Sequence, residues 1–171
     1  MSRDEDTDAN PSLAILSARL LLSVQDEIFS RLQAQGFADL RPRHGAILGY
    51  LDPNGTRTSD LARLAGMHKQ RIAVALDELE SAGYVERRVD PTDRRAKIVI
   101  PTPRGIDAIW AGEAIISEIE RSHAEALGPE RFSAFMGSLR EMSAAQRRWR
   151  ERHAHKRQPR ELSSTAAAHL P

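Results

Sequence analysis

The chain has 171 residues, enough for one domain with an ordinary core, and its 25 Lys/Arg against 24 Asp/Glu (formal charge +1) exclude a polybasic coat. It has no Cys, which excludes disulfides, thiolate zinc sites and cysteine redox sensing, and fits a reducing cytoplasm. No apolar run reaches the roughly eighteen residues of a membrane span, and the acidic N-terminus is unlike a signal peptide, so neither is expected.

Residues 1–11 (MSRDEDTDANP) are polar and acidic and read as a disordered tail. A helix is predicted from Ser12 to about Gln35. Leu13, Leu16, Leu20, Val24, Ile28 and Leu32 form one stripe, with Leu21, Leu22 and Phe29 beside it. That stripe is wider than a surface helix needs, so burial between two partners is expected. Gly36 ends the helix. Arg41-Pro42 opens another through about Leu51, and Asp52-Pro53-Asn54-Gly55 is a strong turn.

The stretch from Thr58 to Pro103 organises the rest. Thr58 reads as an N-cap, Asp60 sits where the helix dipole favours an anion, and Leu61, Leu64 and Ala65 share one face. Gly66 allows a sharp turn. The next helix starts near His68 and buries Ile72, Ala75, Leu76 and Leu79. Its other face carries Lys69, Gln70, Arg71, Ala73, Val74 and Asp77, small, polar and cationic near its start. A major groove accepts such a helix, because Arg, Lys and Gln reach phosphates or base edges while small residues permit close approach.

Gly83 supplies a left-handed cap, and Tyr84–Val89 and Ala96–Ile100 alternate like a half-buried hairpin. Between them Asp90-Pro91-Thr92-Asp93-Arg94-Arg95 is a turn ending in two guanidinium groups, which suit the negative potential of a narrow minor groove. Asp93 cannot usefully face phosphate. It is expected to hold a neighbouring arginine by a charge-assisted bond. Bulk charge decides nothing, since Arg57 to Lys97 contains nine Lys/Arg against seven Asp/Glu. A solvated hairpin is the plain alternative; the order of elements and the placement of cations favour a winged helix-turn-helix that binds DNA.

Thr102-Pro103 is a cap followed by Pro at the first helical position. The helix after it carries Ile106, Ile109, Gly112, Ile116 and Ile119, with Trp110 and Ile115 alongside. Gly128-Pro129 starts the last helix, in which Phe132, Phe135, Leu139, Met142 and Trp149 fall near heptad spacing. One such domain has no sheet large enough to cover these stripes, so a second copy is expected to, through helices within 12–36 and 103–150. From Arg147 the run RRWRERHAHKRQPR has seven Lys/Arg and one Glu, and residues 151–171 read as a basic, then low-complexity tail. A frayed helix end is favoured there over contact with DNA backbone or an acidic partner.

Catalytic and metal chemistry find little support. The six histidines (His44, His68, His123, His153, His155, His169) form no HExxH-type pair, and there is no phosphate loop or nucleophile elbow. Glu78 and Glu80 read as solvent-facing carboxylates. A zinc site at His44 or His123 competes with a core or dimer-seam histidine, and the latter is favoured. No cofactor and no enzymatic activity are expected.

Thr58-Ser59-Asp60-Leu61-Ala62, Gly66-Met67-His68-Lys69-Gln70, Leu76-Asp77-Glu78-Leu79-Glu80, Gly83-Tyr84-Val85-Glu86-Arg87, the wing Asp90–Arg95 and Thr102-Pro103-Arg104-Gly105 together resemble the MarR family of bacterial transcriptional regulators. The wing followed by Thr-Pro-x-Gly is the specific part. His68 departs from the Ser or Thr usual at that position; it either contacts phosphate or weakens the cap. The resemblance implies a mainly α fold with a small β-hairpin wing, a single domain over 12–150 with a DNA-binding lobe at 41–102, and a homodimer on a palindromic double-stranded operator. It aligns Arg95 with the family's wing arginine. It also implies a repressor released by a small, commonly aromatic, anionic effector held in a crevice, for which His44, Tyr50 and Trp110 are candidates by position and equally candidates for core packing. The alternative is a helical protein-interaction or ligand-carrier module with a degenerate winged helix.

Overall fold

The computed structural model describes residues 10–154; the readings of residues 1–9 and 155–171 as parts of two tails lie outside the described residues. It divides into two units, one reaching Glu120 and one beginning at Arg121.

The first unit opens with helix α1 (Leu13–Ala34), whose start is capped by Ser12 accepting the Ile15 N–H at 3.5 Å. Helix α2 (Pro42–Leu48) begins with Pro, as its sequence predicts, but ends before Leu51. Tyr50 and Leu51 donate to carbonyls three residues back, on Ile47 and Leu48, so the chain tightens out of the α-helix while Leu51 stays buried. A two-residue strand, β1 (Thr56–Arg57), leads directly into helix α3 (Thr58–Leu64). Thr58 is therefore not the cap. Arg57, held extended by pairing with Ile98, occupies the capping position and makes no side-chain cap bond.

Gly66, at φ +62°, turns the chain into helix α4 (Lys69–Ser81), which buries Ile72, Ala75, Leu76 and Leu79 as its periodicity requires. Strands β2 (Val85–Asp90) and β3 (Asp93–Pro101) follow, and the sheet is antiparallel in the order β1-β3-β2. The hairpin is thus longer than its alternation suggests, and β1 makes it a three-stranded sheet. Its base is buried at Val85 and Val99, whereas Val89 near the tip is exposed. The core gathers Leu32, Ile47, Leu61, Ile72, Leu76, Leu79, Val99 and Ile115 around Tyr84, whose ring is fully buried.

Helix α5 (Pro103–Leu127) is capped by Thr102, which accepts the Gly105 N–H at 3.1 Å and donates its hydroxyl to the Gly83 carbonyl at 2.6 Å. A side chain at Gly105 would put its Cβ 2.0 Å from the Tyr84 carbonyl oxygen. The glycine is what lets α5 pass close over the backbone at Tyr84, where the chain leaves α4 for β2. In the second unit, helix α6 (Pro129–Ala154) leaves Phe135, Leu139, Met142 and Trp149 exposed, and Trp149 stacks on His153 with ring centres 4.3 Å apart.

Candidate nucleic-acid interface

Helix α4 begins at an extended His68 whose side chain makes no cap bond, as expected of a poor N-cap. His68, Lys69, Gln70 and Arg71 line one shallow recess, and Ala73 and Val74 continue the exposed face. Val74 is 56% exposed, an apolar side chain able to meet a thymine methyl group. The face is what the helical spacing predicts: every core residue of α4 points the other way.

In the wing the two arginines lie on β3 itself rather than in a loop, because only Pro91 and Thr92 separate the strands. Strand alternation sends neighbouring Arg94 and Arg95 to opposite faces, and both are exposed. Asp93 does not hold a guanidinium. Its carboxylate accepts the backbone N–H of Arg95 at 3.0 Å, which fixes the chain where strand β3 starts.

The carboxylate that does grip an arginine is Asp90, only 4% exposed. It accepts Arg57 Nε at 2.6 Å, the Thr92 N–H at 2.8 Å and the Thr92 hydroxyl at 2.7 Å. Those hydrogen bonds from Thr92, with the Arg57 guanidinium beside it, hold the Asp90 carboxyl down at about 2. Arg57 Nη2 reaches Thr92 Oγ1 as well, at 3.2 Å, so the wing turn is tied to the strand entering α3. The Asp-Pro-Thr turn was visible in the sequence; Arg57, thirty-three positions earlier, had no local signal to mark it.

Two further ties hold α4, and neither Glu78 nor Glu80 is the idle surface carboxylate its helix position suggests. Arg87 on β2 pairs with Asp77 at 2.7 Å and Glu80 at 3.2 Å. Glu78 takes Arg43 in a two-pronged pair, Nε at 2.5 Å and Nη2 at 3.0 Å, and meets His44 Nε2 at 2.7 Å. Bonds from Arg43 first and His44 second lower the Glu78 carboxyl to about 2. His44 is a buried core residue, as favoured above, and no three metal-ligating side chains cluster among the described residues.

A cavity of about 240 Å³ lies between α1, α2 and α5, walled by Gln25, Phe29, Pro42, Gly45, Gly112 and Glu113 among others. None of the three residues suggested for a crevice lines it. His44 turns away to Glu78, and Tyr50 and Trp110 stand 48% and 65% exposed.

Two helices joined by a glycine turn, the second with an exposed face, and a hairpin after them that joins the strand before them in one sheet define a winged helix-turn-helix protein. No helix among the described residues is long and apolar enough to cross a membrane. Residues 38–96, from just before α2 to the wing arginines, match the MarR family model. The chain is 31% identical over 81 residues to YcgE, an uncharacterised HTH-type transcriptional regulator of Bacillus subtilis (strain 168). That match spans 47% of this chain and 52% of YcgE, about half the length of the relative. Among solved structures, the transcriptional repressor CouR bound to a 23-mer DNA duplex superposes with a TM-score of 0.67 at 22% identity, over 84% of this chain and 98% of that one. The S. aureus MepR–DNA complex gives 0.68 at 22%, over 80% and 99%. At such identity the likeness is one of fold.

Proposed function

We propose that the chain is a homodimeric, sequence-specific DNA-binding transcriptional regulator, a repressor released when a small molecule fills the cavity between α1, α2 and α5. One observation carries the DNA-binding part. From Arg43 to Arg104 this lobe pairs Arg43, Arg57, Arg63, Arg87, Arg88 and Arg104 with carboxylates. The cations of this stretch without an ion-pair partner among the described residues are Lys69 and Arg71 at the recess and Arg94, Arg95 and Lys97 along the wing strand. Cations kept free at these two places fit phosphates and groove edges. That CouR and MepR adopt this fold on DNA supports the same reading.

His68, Lys69, Gln70, Arg71, Ala73 and Val74 then face the major groove, Arg95 the minor groove and Arg94 phosphate, with Asp93 setting the backbone between them. The dimer rests on apolar residues with nothing over them: Leu13, Leu16, Leu20, Leu21 and Leu22 of α1 are 44–66% exposed. The dimerisation helices are α1, α5 and α6, and the reading involves no enzymatic activity. For the effector, the cavity offers an apolar wall with Gln25 and Glu113 as its polar side chains and no cation. That lining favours a neutral or cationic apolar molecule over the anion suggested by family resemblance.

Selection of duplexes from a random library with the full-length protein tests the proposal. The expected product is a two-fold symmetric site whose retention falls steeply with salt. No enrichment, together with retention indifferent to salt, would leave the interaction-module alternative.

A further inference from the structure

Helix α2 has two sides with different work. Pro42, Gly45, Ala46 and Gly49 wall the cavity, while Arg43 and His44 between them reach across to Glu78 on α4. His44 is 3% exposed, and its Nδ1 accepts the Arg41 backbone N–H at 3.2 Å. That acceptor role leaves the proton on Nε2, which donates to Glu78. Among the described residues these bonds are the only polar ties between α2 and α4. With seven residues, α2 is two turns long, too short to flex between its wall and its grip. Its wall side has little slack, because a Cβ on Gly45 would lie 3.1 Å from Phe29 Cζ. A group that presses on the Gly45 side of the cavity would therefore move Arg43 and His44 along with the wall.

We infer that Glu78 is a positioning residue, the carboxylate through which an occupant of the cavity shifts the recognition helix. This rests on the reading of the cavity as an effector site. Glu78 touches neither the cavity nor the exposed face of α4. It acts by fixing α4 from one side while Arg87, paired with Asp77 and Glu80, fixes it from the other. Losing one of two opposed ties changes the helix's setting against DNA without unfolding it.

The test needs neither an identified ligand nor DNA. Gly112 lines the cavity and has no atom within 4 Å of an added Cβ, so Gly112→Leu fills the space from within, and Gly112→Ala is a milder filler should leucine prevent folding. Amide hydrogen exchange of α2 and α4 is measured in the full chain with and without the filler. Filling is expected to speed exchange several-fold in both helices. In a Glu78→Ala background the α2 response remains and the α4 response disappears. Glu78→Gln, which keeps an acceptor for His44 but loses the charge pair with Arg43, falls between. Asp60→Asn, an equal charge loss on α3 at a residue paired only within its own helix, leaves the coupling intact. An α4 response that persists undiminished in Glu78→Ala, or a filled cavity to which α4 never responds, overturns the inference. Duplex retention by the unsubstituted protein is scored separately: its failure rejects DNA binding and leaves the exchange result standing.

Discussion

Asp90 and Asp93 sit three residues apart in one wing and do different jobs. Asp90 is buried and collects three donors, while Asp93 is exposed and accepts one backbone N–H. Removing Asp93 should therefore cost little order at the arginines, whereas Asp90→Ala frees both Thr92 and Arg57 and loosens the whole tip. Asp90→Ala is expected to weaken operator binding more than Asp93→Ala in fluorescence anisotropy at fixed salt; the reverse order would mean that Asp93 braces the arginines after all. The same carboxylates govern acid sensitivity. Asp90 and Glu78 are held down to about 2 from ordinary values of 3.8 and 4.5. A depressed folded-state value contributes stability above the unfolded pKa, and that contribution is lost as pH falls, between roughly pH 5 and pH 2. Urea midpoints of the native chain should drop across that window, and those of the Asp90→Asn, Glu78→Gln double variant should drop less. Parallel curves would show the two groups to be unlinked to folding.

For the elements, α4 is held by its neighbours and, on the proposed function, reads DNA by its free face. Sequence and phosphate contacts should separate on α4. Gln70→Ala is expected to relax preference at one base position per half-site, costing roughly 1–3 kcal/mol if the contact is bidentate. Lys69→Ala should weaken all duplexes alike and lower the salt slope by about 1. Binding titrations over a salt series with operator and scrambled duplexes distinguish the two. At the far end of the same segment, Gly105 lies against the Tyr84 carbonyl with no room for a methyl group. Gly105→Ala must push α5 off the backbone behind α4, and overpacking of this kind typically costs about 1–3 kcal/mol. Thermal unfolding checks it: an unchanged midpoint would mean that the contact yields freely.

In the whole molecule, the first helix is divided along its length. Leu32 is buried and Ile28 packs against the core, while Leu13 to Leu22 are bare. A second copy covering that bare end predicts a mass near twice 19.1 kDa by light scattering. Leu16→Asp with Leu20→Asp should yield the single-chain mass and lose the steep dependence of DNA retention on protein concentration. A double variant that stays dimeric would move the seam elsewhere, α6 with its exposed Phe135 and Leu139 being the next candidate.

The sequence by itself determined the helices, the hairpin and the outward face of α4, but not strand β1 or the extent of β3. Helical and strand periods, a Pro or Gly at each break, and the grouping of small and cationic residues are local properties, readable without knowing what lies across the fold. Thr102-Pro103 as a cap and Ile72, Ala75, Leu76 and Leu79 as core were legible for that reason. The tertiary structure alone decided which charges are spent and which are free. Arg57 with Asp90, and Arg43 and His44 with Glu78, are joined across 33 to 35 positions, so no local pattern distinguishes them from the unpaired Lys69 or Arg95. The cavity likewise belongs to three separated helices, and Tyr50 and Trp110 miss it because the turn after α2 and helix α5 leave their side chains exposed. Periodicity tells which side of a helix is apolar; only packing tells what that side meets.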